Sequence, residues 1–387
     1  MELLDNPIRD YAWGSRTAIA AMQGRSPTEN PEAELWMGAH PDSPSTLTRH
    51  GVRARLDDVI AAEPGLLGAD TVAEFGPRLP FMLKVLAAAS PLSLQAHPDS
   101  ATAARRYADE ASVPADQRLY RDPFAKPELL VALDDFDTLC GFRDPSISAD
   151  VLASLGVPAL ASVIETLRAG DAETRLRSAT AALLKWPAPT RAAVVDAVVA
   201  SARRRSLGYI ADLGERFAGD MGVVVAVLLN HVKLSAGEAI WMPAGNLHAY
   251  LRGTGMEVLA TSDNVLRGGF TAKRVDVDEL MHVLRYEVLA EPVVKPVAPG
   301  PGIRSWPVPA TDFALLQVTL ATSDAPVVLT GSGPRIVFCL TGSVHIDDGS
   351  PVDLVAGKAA FGPAGPHLAL SGDGEVFVAT TPTVTHG

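Results

Sequence analysis

Gln95 and His97 lie two residues apart in the run PLSLQAHPDS at 91–100. On a strand, positions i and i+2 face the same way, so the amide and the imidazole converge on one small volume. Such a pair could hold a ligand or an ion between its polar atoms. Alone, followed at once by Pro98, it reads first as a strand ending in a polar turn. Partners elsewhere in the chain must decide.

The elements that would bring partners in can be read along the 387 residues, a length that suggests two or three domains. Alanine-rich segments from about 147 to 229 have helical spacing, as at Val195, Val198, Val199 and Ala202, and are broken by Pro158, Pro187 and Pro189. They predict a compact helical unit, and a further helix is expected over 99–112, capped by Asp99 or Ser100. Short apolar runs punctuated by Gly and Pro at 231–275 and 315–382 predict sandwich or barrel strands. Between them, 286–312 holds six prolines and reads as a linker.

Composition narrows the function classes. There are 33 Lys and Arg against 45 Asp and Glu, for a formal net charge of −12, so no global field draws in nucleic acid or an anionic membrane. The longest apolar run, GVVVAVLL at 222–229, is far short of the roughly 20 residues of a membrane helix. Acids at positions 2 and 5 do not make a secretory signal. The two cysteines, Cys140 and Cys339, form no CxxC pair. A soluble, cytoplasmic protein is expected, a monomer, with neither nucleic acid nor membrane as partner.

GEAIWMPAG at 237–245 and GKAAFGPAG at 357–365 share one frame, offset by 120 residues, which predicts a duplicated β-module. In the first copy the frame continues to His248. The run Gly-x5-Pro-x-Gly-x2-His resembles the second motif of the cupin superfamily, whose histidine points into a small barrel and binds metal. In the second copy the equivalent residue is Leu368. His367 is one position off, and a one-residue shift turns a side chain to the opposite face. The C-terminal module is therefore expected to be cupin-like and to hold no metal. Cupins pair this histidine with His-x-His and a glutamate; QAH at 95–97 resembles that pair, and Glu128 is the candidate acid. An amide oxygen, two imidazoles and a carboxylate can hold a divalent ion and leave room for water or substrate.

Most of the chain also resembles the type I mannose-6-phosphate isomerase family. The resemblance is carried by YAWGS at 11–15, ELWMGAHPDSPS at 34–45, LPFMLKVLAAASPLSLQAHPD at 79–99, KPELLVAL at 126–133 and GEAIWMPAGNLHAYLRGTGMEVLATSDNVLRGGFTAKRVD at 237–276. It implies one zinc ion per chain, held by Gln95, His97, Glu128 and His248. The implied fold is mainly β with a helical domain: a metal-binding cupin barrel from 1–146 and 230–285, a helical insertion at 147–229, and a second cupin-like jelly-roll barrel at 286–387. The implied reaction interconverts mannose 6-phosphate and fructose 6-phosphate through a cis-enediol. The alternatives are a cupin enzyme acting on another sugar phosphate or using iron, and a metal- or sugar-binding cupin without turnover.

This reaction needs a base at the carbon acid, an electrophile and an anchor for phosphate. Lys84, Lys126, Arg267, Lys273 and Arg274 gather in the matching motifs and supply positive charge on an acidic chain. Arg267 is the strongest candidate for the enediolate or for gripping substrate, and Lys84 and Lys273 are candidates for phosphate. Lys126 is an acid or base, or an ion-pair partner of Glu128. Glu257 and Asp263 are candidate proton-transfer carboxylates, and either could instead orient Arg267. Trp13 and Tyr250 either wall the sugar or fill the core, and Ser93 shares the face of Gln95. One departure bears on mechanism: where the family has Asn-His, this chain has Phe124-Ala125. The changes at 268–269 and 271–273 are mild.

Overall fold

The structure, a computed structural model, describes residues 1–205 and 207–382. Two antiparallel sheet systems dominate, with a helical layer beside the first. In the first, the strand His248–Ala260 is the hub. Its C-terminal half pairs with Phe81–Ala88 on one side and Glu128–Ala132 on the other. Its N-terminal half pairs with Leu94–Ala96 and Phe136–Phe142 instead. The switch falls at a bulge between Tyr250 and Arg252, followed by Gly253 at φ +129°. A Cβ there would lie 2.6 Å from Phe136 Cδ2, so only glycine lets one strand turn this corner and serve both faces of a cupin-like jelly roll.

The second system repeats the plan. Its strands Ala359–Gly362 and His367–Thr380 stand 120 residues beyond Ala239–Met242 and His248–Ala260, with one extra residue at the start of the last. The offset between the two Pro-Ala-Gly frames is thus an offset between whole strands. Leu368 is buried in the second core and His367 is exposed, in line with the two-residue period.

Two sequence expectations change. Residues 286–312 are not simply a linker: Val293–Val294 pairs with Ala239–Met242 of the first sheet, whereas Val297–Gly300 and Ile303–Ser305 join the second. Proline is tolerated because Val297–Gly300 is the outermost strand in its sheet's order, where a missing N–H breaks no ladder. Likewise Glu2–Leu4 pairs with Ala359–Gly362 of the second sheet, not with the N-terminal barrel. The Met1 amine fixes this start at 2.6 Å from Asp348 Oδ1.

The helices between Pro145 and Val225 include Ala172–Leu184 and Arg191–Arg203. Asp144 and Asp171 cap helix starts by accepting from Ser146 and Thr174 N–H. Val195, Val198, Val199 and Ala202 all turn inward, and their core is continuous with Leu94, Ala96, Leu266 and Phe270. Each fully buried aliphatic contributes roughly 1.5–3 kcal/mol. The helical layer therefore packs against the back of the strands that carry Gln95 and Arg267. No helix among the described residues is long and apolar enough to cross a membrane.

Candidate functional site

Strand parity does what the spacing implies. Leu94 and Ala96 point into the helical core, leaving Gln95 and His97 on the other face, and Asp99 ends the stretch by capping the helix Ser100–Asp109. Across the sheet, His248 opens the hub strand directly opposite Gln95. Glu128 opens the strand Glu128–Ala132. The three ends meet: Glu128 Oε2 lies 3.5 Å from His97 Nε2 and 3.4 Å from His248 Nε2. Gln95 Nε2 lies 3.4 Å from His248 Nε2.

The outer nitrogens fix the tautomers. His97 Nδ1 donates to the Asn264 carbonyl at 2.6 Å and His248 Nδ1 to the Asn246 carbonyl at 3.0 Å, so both Nε2 atoms keep a free lone pair. His97, Glu128 and His248 are at most 1% exposed. His97 Nε2 and Glu128 Oε2 make no hydrogen bond. A buried carboxylate oxygen and imidazole nitrogen left open in this way are costly unless a cation joins them. Turning the Gln95 amide about its last bond presents Oε1 to the same point and its NH2 to the Ser93 hydroxyl, now 3.2 Å from Oε1. The donor set of two imidazoles, a carboxylate and an amide oxygen fits a divalent ion such as zinc.

Electrostatics support the ligating forms. Burial pushes the His97 imidazole down to about 4, keeping it neutral. For Glu128, burial opposes the charge, but the ammonium of Lys126 leads the groups that outweigh it and hold the carboxyl well below its usual range. Lys126 Nζ is 3.0 Å from Glu128 Oε1, so this lysine neutralises the oxygen that faces away from the ion site.

Arg267, Lys273, Arg274 and Asp263 line a cleft of about 1180 Å³ together with His40, Arg78 and Arg121. Arg267 and Lys273 form no ion pair or side-chain hydrogen bond among the described residues, and burial lowers the pKa of both. Unpaired cations in a partly desolvated cleft are a site for an anion. Arg274 is instead paired with Asp276 at 3.1 Å. Asp263 Oδ2 lies 3.2 Å from His40 Nε2 as an ion pair, and its side chain is 40% exposed. The segment bearing Lys126 and Glu128 is fastened to the Asp263 loop by Asn264, whose side-chain NH2 donates to the Asp122 and Phe124 carbonyls at 2.8 and 2.9 Å.

Other sequence candidates sit elsewhere. Lys84 is buried between Glu257, 2.6 Å from its Nζ, and Glu34, at 3.2 Å. Tyr250 OH donates to Glu257 Oε1 at 2.5 Å. Lys84, Tyr250 and Glu257 thus form an ion cluster beneath the metal pocket, away from the cleft wall. Cross-strand pairing explains it, because Lys84 stands opposite Glu257. Lys84 and Tyr250 thus already carry carboxylate partners, which the reading of them as sugar contacts does not include. Trp13 is half-buried, stacked on Tyr11 at 5.7 Å and packed against the cluster that includes Tyr250.

Two cleft residues have no mark in the spacing. Arg78 places its guanidinium 3.7 Å from the centre of the Phe124 ring; it forms no side-chain hydrogen bond or ion pair among the described residues, though the charges of Asp312 and Asp122 favour its protonated form. His40 pairs with Asp263. AHPD lies inside a matched block, but nothing in a single sequence ties it to Asp263.

A profile of the type I phosphomannose isomerase catalytic domain matches residues 1–145. The mannose-6-phosphate isomerase of Escherichia coli K12 is 36% identical over 375 residues, covering 93% of this chain and 94% of that protein. The chain belongs to the type I phosphomannose isomerase family. Mannose-6-phosphate isomerase 2 of Arabidopsis thaliana is 29% identical, over 96% of this chain and 90% of its own length. Among solved structures, a point variant of the Salmonella typhimurium phosphomannose isomerase superposes with a TM-score of 0.90 at 34% identity, over 98% of this chain and 99% of its own. A zinc-bound mannose 6-phosphate isomerase gives 0.89 at 34% identity over the same shares. Membership accounts for the paired cupin-like modules with helices packed against the first.

Proposed function

We propose that this chain interconverts mannose 6-phosphate and fructose 6-phosphate, with one zinc ion held by Gln95, His97, Glu128 and His248. The observation that carries the proposal is the convergence of two imidazole Nε2 atoms on one Glu128 oxygen, with His97 Nε2 and that oxygen making no hydrogen bond, in a family of isomerases. Zinc bound there would supply a Lewis-acidic centre that orders the sugar hydroxyls or polarises the carbonyl. Arg267, Lys273 and Arg78 supply positive charge for the phosphate and for the developing enediolate.

The proton must move between C1 and C2, through a cis-enediol. Of the two candidate carboxylates, Asp263 suits the base better, because it faces the cleft. Glu257 is fully buried with Lys84 and Tyr250 on its oxygens. Its part is to keep Lys84 charged behind the metal pocket. A binder without turnover is the second reading, favoured by Ala125 where the family carries histidine.

Purified protein incubated with mannose 6-phosphate, with and without a chelator, distinguishes these. Fructose 6-phosphate should form and should stop forming when the metal is stripped. Full metal occupancy with no turnover supports the binder, and turnover unaffected by complete metal removal overturns the ligand assignment.

A further inference from the structure

His40 is 3% exposed and is held from several directions. Its carbonyl accepts from Ser43 N–H at 3.1 Å, closing a turn with Pro41 at its second position. Ser45 ties the far end of that turn down: its hydroxyl accepts from Gly38 N–H at 3.0 Å and donates to Asn6 at 2.7 Å. Trp36 meets the imidazole edge-on at 4.9 Å. The ring itself has a defined proton. Asp42 N–H donates to Nδ1 at 3.3 Å, so the proton sits on Nε2, which lies 3.2 Å from Asp263 Oδ2.

We propose that His40 is a positioning residue for the isomerisation: its Nε2–H holds the Asp263 carboxylate in the orientation in which it takes the substrate proton. The inference rests on the reading of Asp263 as base. The arrangement is a buried donor on a rigid turn, beside a half-buried carboxylate in a cation-lined cleft. Such a donor fixes one carboxylate oxygen and leaves the other for the reacting carbon. The other charged groups around Asp263 are Lys126 and Arg121, which favour its ionised form together with His40. Asp122, which accepts the Asp263 N–H at 2.8 Å, and Asp42 and Arg267 of the same cleft complete the set.

The two nitrogens of His40 can be replaced separately. His40→Asn keeps an acceptor near Nδ1 for Asp42 N–H and removes the donor at Nε2. His40→Gln reaches Asp263 with an amide N–H and gives up the Nδ1 contact. Zinc content and the pH dependence of kcat and KM are measured for both in the metal-loaded protein. In His40→Asn, kcat should fall about tenfold, the weight of one charge-assisted hydrogen bond, with KM and zinc content little changed. Its acid limb should move to higher pH, because a carboxylate that loses a donor binds its proton more tightly. His40→Gln should recover most of kcat and return the limb. Equal loss in both variants with an unmoved limb overturns the proposal and leaves His40 a turn residue. Asp263→Asn tests the base reading separately: a wild-type profile there removes Asp263 as base whatever His40 does. An inactive Asp263→Asn beside a silent His40→Asn removes only His40.

Discussion

The backbone N–H of Gly245 donates to the His97 carbonyl at 2.8 Å, so the turn that launches His248 is tied to the residue that supplies the other imidazole. Pro243-Ala244-Gly245 is thus more than a chain reversal. It sets the spacing between two strands whose candidate ligands lie 151 positions apart in the sequence (97 to 248).

Gly245 has φ +78°, and a Cβ would fall 2.6 Å from Arg285 Cγ and 2.9 Å from the Val283 carbonyl oxygen. Gly245→Ala should cost about 1–3 kcal/mol of stability, measured by denaturant midpoint. It should also make the metal easier to strip in a chelator titration of the folded protein. Wild-type metal retention in a destabilised Gly245→Ala protein would show that the turn does not govern ligand placement.

The duplicated frame gives a control within the same molecule. His248→Ala removes one of the buried ligands, and His367→Ala removes an exposed side chain from the corresponding strand of the second module. Metal analysis should find zinc lost from the first and retained in the second. Equal loss in both contradicts the assignment of the metal to one module.

The candidate metal site was the most legible part of the sequence, because a local spacing rule and the resemblance to cupins point to the same positions. A two-residue period puts Gln95 and His97 on one face, and the same period separates Leu368 from His367. The helical layer was equally plain from Val195, Val198, Val199 and Ala202. What stayed hidden depends on which strands become neighbours. Lys84 looks like a phosphate ligand until strand pairing sets it opposite Glu257. His40 and Asp263 meet only after the fold closes, and Arg78 acquires meaning only from the Phe124 ring. The Pro-rich stretch misleads for a related reason: proline argues against a central strand but is silent about an edge.

Arg78 yields a prediction of its own. Its guanidinium stacks on Phe124, burial lowers its pKa, and it has no anionic partner within ion-pair distance among the described residues. A half-buried cation so placed gains most when an anion enters the cleft. Arg78→Gln should raise KM for mannose 6-phosphate about tenfold, the value of roughly 1.4 kcal/mol, while kcat changes little. Inhibition by inorganic phosphate should weaken in parallel. An unchanged KM and unchanged phosphate inhibition would assign Arg78 to packing against Phe124 alone.

The buried cluster of Lys84, Glu257, Glu34 and Tyr250 predicts a stability effect that can be separated from catalysis. For Lys84, burial opposes the charge, but Glu257, Glu34 and Glu128 outweigh it and hold the ammonium above its usual range. Lys84→Met leaves buried carboxylates without their cation and should cost about 3–5 kcal/mol. Adding Glu257→Gln removes one of those charges, so the double variant should regain part of the loss, read as a denaturant midpoint in a double-mutant cycle. The pH dependence has a definite sign. Burial already raises the Glu257 carboxyl, and losing Lys84 raises it further. A carboxyl whose folded pKa lies above its unfolded value adds stability at low pH and loses it as pH rises through the folded pKa. The deficit of Lys84→Met should therefore shrink as pH falls toward the ordinary carboxyl range near about 4.3. A deficit that is independent of pH and untouched by Glu257→Gln would mean that lost packing, rather than the unpaired carboxylates, destabilises the variant.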